Sequence, residues 1–436
     1  MWQHNYTPVA NSIPLSALVA ALPIFVLLIM LGVVRKAAWI SAMAGMAGAI
    51  LVALFVYRMP PSIMFSAIAY GAAQGLFPIG WVVFTAILLY NITVTTGKFE
   101  IVKNSIGNLT GDRRLQALLI AFAFGAFIEG AAGFGTPVAV AAAMLTGLGF
   151  SPFFAGGICL LANTAPVAFG SIGIPIITLQ KVTALPLARL SAGVGRICAP
   201  VSLIVPAYLI LVMGGWGALR GVFPAALLCG VMFAGTQFLV SNFIGPELTD
   251  ILASLAALGS LVLLLRMWKP KDKFQLPGDG PVRPRTVIPG REALLAWSPF
   301  MLLVVCVLTW GLLKPQLNEY SIVIDWPVLH NLVQKMPPVT GQPTPYDARY
   351  NFDWLSAAGT SCLTAAILSA LVLRMSPASF FRVLGRTARQ LVFAELTIAT
   401  VLGLAFLMNY SGSTATMGLA FAATGAMFPF FSAMLG

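Results

Sequence analysis

One carboxylate stands among glycines in the middle of an apolar stretch of this chain. Residues 125–137 read GAFIEGAAGFGTP, and the acid is Glu129. A carboxylate at membrane depth is costly, and a run with four glycines and a proline does not continue as an ordinary helix. Both features are tolerated where broken backbone lines a buried polar cavity. The run therefore predicts a binding site inside a membrane protein.

Glu129 is suited to bind and release a proton, because a dry setting disfavours the charged form of a carboxyl group. The alternative is a structural carboxylate that accepts hydrogen bonds from exposed backbone amides of the broken helix. Gly130, Gly133 and Gly135 would let the backbone approach a ligand closely. A helix beginning near Thr136 would offer free N–H groups to a substrate carboxylate.

Residues 163–175, NTAPVAFGSIGIP, form a second interruption of apolar sequence. Two prolines and two glycines predict a broken helix or a re-entrant loop. Asn163, Thr164 and Ser171 can hydrogen-bond a hydroxyl or a carboxylate, or they can satisfy their own kinked backbone. Gly71 and Gly75 lack an adjacent acid and are better explained by close helix packing.

A weak internal repeat adds further candidates. Residues 86–97, AILLYNITVTTG, resemble residues 405–418, AFLMNYSGSTATMG: each has an apolar run, one asparagine, hydroxyl side chains and a glycine. Asn91, Asn409 and Ser411 are therefore candidate binding residues, since carriers often place their site between repeats. A chance match is the alternative. A second copy of the Glu129 run would begin beyond Gly436, so we expect the chain to be truncated at its C-terminus.

Glu395 is a second acid in an apolar span, but it lies six residues after Arg389 and has no glycine beside it in the sequence. A structural role near the membrane interface is favoured for it. The five cysteines lie in apolar sequence without CxxC spacing, and the chain has two histidines. Neither a metal site nor a cofactor is expected.

The elements that position these residues are membrane helices. Hydrophobic residues make up 59% of the chain and charged ones 9%, and the mean hydropathy is +0.92. Apolar runs long enough to cross a bilayer recur throughout, and we count about 11 to 13 spanning or half-spanning segments. The predicted fold is an all-α polytopic membrane protein with broken helices and a probable two-repeat architecture.

The net charge of +12 is concentrated in alternate short loops. This is the positive-inside pattern, which makes those loops cytoplasmic and argues against a nucleic-acid partner. We predict an N-terminal membrane half, 1–265, a basic cytoplasmic linker, 266–293, and a C-terminal half, 294–436. A loop at 314–353 is expected outside with short interfacial helices, as is the N-terminus, which has no cleavable signal peptide.

Several strings together resemble the lactate permease family of bacterial plasma-membrane carriers. They are GAFIEGAAGFGTP at 125–137, NTAPVAFG at 163–170, NFIGPEL at 242–248, NYSG at 409–412, WQHNY at 2–6 and KMPP at 335–338. The resemblance implies import of L-lactate, D-lactate or glycolate together with protons across the inner membrane. Our hypothesis for the mechanism is alternating access around a midplane site formed by Glu129 and the two broken segments.

Other functions remain open from the residues alone. A carrier of another small organic anion, including a Na⁺-coupled one, fits the same pattern, and so does a fragment that does not transport. An intramembrane enzyme is not expected, because the chain has no GxSxG or HExxH motif and no histidine in its apolar spans. The oligomeric state is not predicted.

Overall fold

The fold is known from a computed structural model that describes residues 1–107, 109–131, 136–270, 272, 274 and 289–428. At residues 107, 136, 139 and 314 only the backbone is described. The predicted binding residues Gly133 and Gly135 and most of the predicted linker 266–293 lie outside the described residues.

The described chain is almost entirely helical, as expected where lipid leaves backbone groups no partner outside their own segment. In chain order the helices are α1 Ile13–Val33, α2 Ala38–Val56, α3 Pro61–Thr95, α4 Lys98–Gly107, α5 Arg113–Ala131, α6 Thr136–Gly147, α7 Pro152–Ala162, α8 Gly170–Thr183, α9 Leu187–Phe243, α10 Thr249–Met267, α11 Gly290–Asn318, α12 Ala358–Val372, α13 Pro377–Ser411 and α14 Ser413–Ala422. Within the described ranges, eight helices are long and apolar enough to cross a membrane, or nine if the bent pair α7–α8 counts as one span. The predicted all-α polytopic class is confirmed.

Three of the long helical stretches are interrupted. The backbone of α3 leaves helical geometry at Phe77, and that of α9 does so at Gly214 and Gly215. At about 1.5 Å per residue, the 57 residues of α9 would extend about 86 Å, far more than one bilayer crossing. The glycine break therefore divides α9 into two crossings. The third interruption is the bend of 68° between α7 and α8.

The chain divides into two compact units. Unit 1 comprises Met1–Trp81, Leu317–Leu355 and Arg389–Gly436, and unit 2 comprises Val82–Gln316 and Ser356–Ala388. These units are discontinuous in sequence. The division into sequential halves around the linker stays a prediction.

Unit 2 is built around α5, whose membrane window is 100% buried. A helix that is apolar on every side belongs in the interior of a bundle, and α5 has that composition. In unit 1 the window of α1 is only 17% buried. Its apolar side chains are therefore suited to face lipid.

Short strands of unit 1 cover the ends of its helices. They are β1 Trp2–Gln3, β2 Ile322–Asp325, β3 Val333–Lys335, β4 Thr344–Pro345 and β5 Arg349–Phe352. β1 pairs in parallel with β3, β3 pairs antiparallel with β4, and β2 pairs antiparallel with β5. The prediction of interfacial helices in 314–353 is thus wrong after Asn318: β-branched residues favour strands there, and repeated prolines disfavour helix. The pairing of β1 with β3 puts the N-terminus and this loop on the same side.

The two strings of the proposed repeat occupy similar places. Asn91 lies near the end of α3 and Asn409 near the end of α13, and each helix begins at a proline and has 35 residues. Gly97 and Gly412 follow with φ of 70° and 85°. Glycine is favoured at such left-handed helix ends. These shared features support the repeat.

Gly71 and Gly75 bring α3 close to α13, as their sequence context predicts. A Cβ at Gly71 would lie 2.5 Å from the Leu402 carbonyl oxygen, and one at Gly75 would lie 3.0 Å from that of Ile398. Small residues allow this approach of two helix backbones in a membrane.

Candidate functional site

Glu129 lies inside unit 2, close to the end of the central helix α5, and is 6% exposed. At the start of that helix, Arg113 Nη1 donates to the Leu148 carbonyl at 2.6 Å and the guanidinium lies over the Phe150 ring. α5 and α6 therefore form a hairpin whose two ends meet. Glu129 is sixteen residues, or about 24 Å, along the axis from Arg113, which places it deep in the hairpin.

The break between α7 and α8 packs directly on the Glu129 side chain. A Cβ added at Gly170 would overlap Oε1 of Glu129, so a larger residue would displace the carboxyl group from this contact. The Asn163 side chain, just after α7, lies within hydrogen-bonding reach of the same carboxyl group. Oε2 of Glu129 is buried and has no hydrogen-bond partner among the described residues. One oxygen of the acid is thus left for a proton or a ligand.

The backbone after Gly170 is strained. Ser171, Ile172 and Gly173 have φ of 49°, 59° and 73°. The left-handed region is unfavourable for a β-branched residue such as Ile172, and strain of this kind concentrates at functional sites. Ser171, which was predicted to bind substrate, is 4% exposed and lies at this break.

Asp250 is a second acid of the site that the sequence analysis missed. It is 1% exposed, at the start of α10, and within the described part of the chain neither of its carboxylate oxygens has a hydrogen-bond partner. A Cβ at Gly130 would lie 2.9 Å from Asp250 Cβ and 3.0 Å from the backbone nitrogen of Ile251. Gly130, a predicted binding residue, therefore joins Glu129 and Asp250 in one cluster.

A signal for Asp250 was present in the sequence. Asp250 follows the string NFIGPEL at 242–248 by two residues and stands at the start of the apolar run of α10. It stands at the boundary of the run rather than inside it, where a charged residue usually faces the membrane surface. The structure buries this boundary because Pro246 packs on Gly173 at the α7–α8 break.

Two polar side chains of α9 form a hydrogen-bond network with the backbone at the α7–α8 break. Ser202 Oγ donates to Gln237 Oε1 at 2.7 Å, and Gln237 Nε2 donates to the Ala165 carbonyl at 3.3 Å. The Gln237 side chain also lies near the carboxyl group of Asp250. Both polar side chains are fully buried. The network therefore fixes an irregular backbone segment beside the two acids.

A cavity of about 620 Å³ opens next to the site. Gly245, Pro246 and Leu248 line it together with the starts of α9 and α12 and the middle of α11. Pro246 also contacts Gly173, so the cavity wall and the break share a residue. The volume of this cavity would hold a small organic molecule.

The remaining predicted residues lie elsewhere. Thr164 is exposed and donates to the Leu161 carbonyl, and Asn91 donates to Thr387 Oγ1 at 2.9 Å. Asn409 and Ser411 belong to unit 1, where Ser411 Oγ pairs with Ser413 Oγ. Thr136 is the first residue of α6, and its side chain is not described.

Within the described residues, no group of three or more His, Cys, Asp or Glu side chains is arranged to hold a metal ion. The acids of the site occur as the pair Glu129 and Asp250.

Buried carboxyl groups at broken helices, inside a protein of many membrane helices, define a secondary transporter. The chain belongs to the L-lactate permease family, whose model matches residues 16–436. The L-lactate permease of Bacillus subtilis (strain 168) is 41% identical over 465 residues, covering 100% of this chain and 82% of the relative. Glycolate permease GlcA of Escherichia coli (strain K12) is 42% identical over 457 residues, covering 100% and 81%. No solved structure matches.

A more distant relative, the L-lactate permease of Streptococcus iniae, is 30% identical over 422 residues, with 96% of this chain and 85% of the relative covered. Membership of a permease family confirms that the chain is a transporter rather than an enzyme. It also confirms a multi-pass protein of the bacterial plasma membrane.

Proposed function

We propose that this protein imports lactate, and also glycolate, by proton symport, with Glu129 as the residue that exchanges the coupling proton. The names of its relatives support the substrate class: an L-lactate permease and a glycolate permease resemble the chain almost equally. One observation carries the site. Two buried acids, Glu129 and Asp250, lie next to Gly130 beside the broken α7–α8 segment, and Oε2 of Glu129 is buried without a hydrogen-bond partner among the described residues.

The acid pair offers a physical reason for coupling. Two carboxylates close together in a dry site do not both stay charged, so the pair holds a proton. An arriving lactate anion adds a further negative charge to the same space. That charge favours uptake of another proton, and proton loss in turn weakens anion binding. Substrate and proton therefore bind and leave together, as symport requires.

The substrate carboxylate would be bound by backbone amides. The first turn of α6, from Thr136, has N–H groups without helical partners, and such groups attract anions. Asn163 and Ser171 would bind the hydroxyl group that lactate and glycolate share. Gly130 and Gly170 leave no side chain between the acids and the break, which suits a ligand of two or three heavy atoms beyond its carboxylate group.

Glu129→Gln tests the coupling role. The substitution keeps the shape of the side chain but removes its exchangeable proton. In proteoliposomes we expect exchange of labelled for unlabelled lactate to persist, while the accumulation limit set by a pH gradient falls. With a gradient of about one unit, each coupled proton contributes about tenfold to the accumulation limit.

Glu100→Gln is the matched control, because Glu100 is an exposed acid of unit 2 on α4. It should accumulate lactate like the wild type. Full gradient-driven accumulation by Glu129→Gln would show that another group exchanges the proton. Replacing Na⁺ by choline should leave wild-type uptake unchanged, and a strict requirement for Na⁺ would contradict proton symport.

A further inference from the structure

Glu395 of unit 1 stands at a helix break of its own. Its helix, α13, packs on α3, and a Cβ added at Gly80 would overlap Oε2 of Glu395. The break in α3 lies three residues before that glycine, at Phe77, whose backbone is extended. Glu395 has no glycine beside it along the chain, yet the fold places Gly80 against it from a distant segment.

This contact repeats the arrangement around Glu129. In unit 2 the Glu129 side chain lies against Gly170 at the break between α7 and α8. In unit 1 the Glu395 side chain lies against Gly80, close to the break in α3. In both cases one carboxylate oxygen is buried without a hydrogen-bond partner in the described chain: Oε2 of Glu129 and Oε1 of Glu395. A purely structural acid would be expected to bond the irregular backbone, as buried polar groups normally do.

The carbonyl freed by the break is satisfied by another residue. Tyr350, on β5, donates its hydroxyl hydrogen to the Phe77 carbonyl, 3.2 Å away. Phe352 of the same strand packs on the Phe77 ring, with 4.7 Å between centroids. This carbonyl has its partner without Glu395, whose ionised carboxylate could only accept hydrogen bonds.

The surroundings of Glu395 contain no cation that neutralises it. No described Lys, Arg or His forms an ion pair with it, and the nearest basic residue on its own helix, Arg389, is about 9 Å away along the axis. The ionisable side chains of β5 and of α3 between Pro61 and Gly80 are Tyr70, Arg349 and Tyr350. The Arg349 guanidinium donates to Asp325 Oδ1 at 3.2 Å. Tyr70 donates to the Arg349 carbonyl, and Tyr350 is bonded to Phe77. A proton is the simplest means of neutralising a carboxylate in this place.

We propose that the Glu395 carboxyl group, seated against Gly80 at the break in α3, is a second proton-binding site of this carrier. It binds a proton in one part of the transport cycle and releases it in another, when the broken helix changes its packing on α13. Discontinuous helices mark the coupling-ion sites of many carriers, because their shape can change without loss of a whole span. The inference rests on the proposed proton coupling but concerns a different residue and a different unit.

Infrared difference spectroscopy tests proton binding without any transport assay. Purified protein in lipid is compared between alkaline and acidic buffer, and the C=O stretch of carboxyl groups that gain a proton is recorded. We expect Glu395→Gln to lose one band of a non-aqueous carboxyl group that the wild type shows. Glu319→Gln, an exposed acid of unit 1, should lose only signal typical of a carboxyl group in water. Identical spectra for wild type and Glu395→Gln would overturn the proposal.

Two glycine substitutions test the proposal even if Glu395→Gln does not fold. The added methyl group of Gly80→Ala should displace the Glu395 carboxyl group and shift the frequency of its C=O stretching band. Gly71→Ala crowds the same α3–α13 contact at the Leu402 carbonyl, away from Glu395, and should leave the band in place. A band that moves equally in both variants, or in neither, would contradict a carboxyl group seated at Gly80.

Transport then shows whether the site is used. With a gradient of about one pH unit, loss of one coupled proton should lower the lactate accumulation limit of Glu395→Gln about tenfold, while lactate exchange persists. Wild-type accumulation combined with wild-type exchange in this variant would overturn the role in the cycle. If the wild type itself shows no gradient-driven uptake, the proposed function fails, and the infrared experiment still decides whether Glu395 binds a proton.

Discussion

At the scale of single residues, the site depends on the absence of side chains as much as on the acids. Gly170 and Gly130 allow Glu129 and Asp250 to lie against the broken backbone, and any Cβ there meets a carboxyl group or the backbone of α10. A change of one methyl group at these positions acts on the acids directly. Substitution of these glycines therefore tests the geometry of the site more specifically than removal of an acid.

Gly170→Ala should abolish lactate uptake while the protein still folds. The added methyl group displaces the Glu129 carboxyl group, and overpacking of this kind costs about 1–3 kcal/mol. Gly157→Ala on α7 is the control, because a Cβ there meets no atom within 4 Å. Uptake and thermal unfolding of both variants are compared with the wild type. Wild-type uptake by the Gly170→Ala variant would contradict the close contact between Gly170 and the Glu129 side chain.

Asp250→Asn should flatten the pH dependence of lactate exchange between acidic and neutral pH. Without the second acid, the charge on Glu129 no longer depends on a neighbour, and proton uptake by the pair is lost. Glu100→Gln serves again as the exposed control. An exchange profile that keeps its wild-type shape in Asp250→Asn would remove Asp250 from the site.

At the scale of elements, the N-terminal strand β1 is held by a buried histidine. His4 lies outside the membrane spans, and its Nε2 is 2.9 Å from the Tyr410 carbonyl oxygen. Burial lowers the pKa of His4 from 6.5 to about 4. The folded N-terminus therefore binds His4 in its neutral form, whereas the detached segment can take up a proton.

The sign of the pH effect follows from this difference. Between pH 6.5 and about 4 the detached form binds more protons, so the docking of β1 is complete above pH 6.5 and is lost as pH falls toward 4. Over this pH range the free energy of β1 docking changes by at most about 3 kcal/mol. Hydrogen exchange of residues 1–12, corrected for its intrinsic pH dependence, should show falling protection in the wild type. His4→Gln should show a flat profile, and equal slopes in both would contradict the assignment.

The same scale shows what a sequence can predict. Helix positions, the broken segment 163–175 and the packing role of Gly71 and Gly75 follow from apolar runs interrupted by glycine and proline, whereas residues 132–135 of the first predicted break lie outside the described residues. The strands of 317–355 were missed because they are short and gain their partners only when the N-terminus folds back onto them. Contacts of that kind have no local pattern in the sequence.

At the scale of the whole molecule, proximity between distant segments was the information that the sequence lacked. Glu129, Gly130, Asn163 and Ser171 were predicted from local composition, and the fold brings these segments of unit 2 together. Asp250 was missed because burial of a helix start depends on the packing of Pro246 on another helix. Glu395 was assigned a structural role because its glycine neighbour comes from α3.

The most direct test of the central claim is whether lactate carries protons with it. Lactate is added outside proteoliposomes that contain the wild-type protein, with equal pH on both sides, and the outer pH is followed with a dye. Proton symport predicts alkalinisation of the outer medium in step with lactate uptake, and neither signal in protein-free liposomes. Uptake of labelled lactate with no change of outer pH would contradict proton symport.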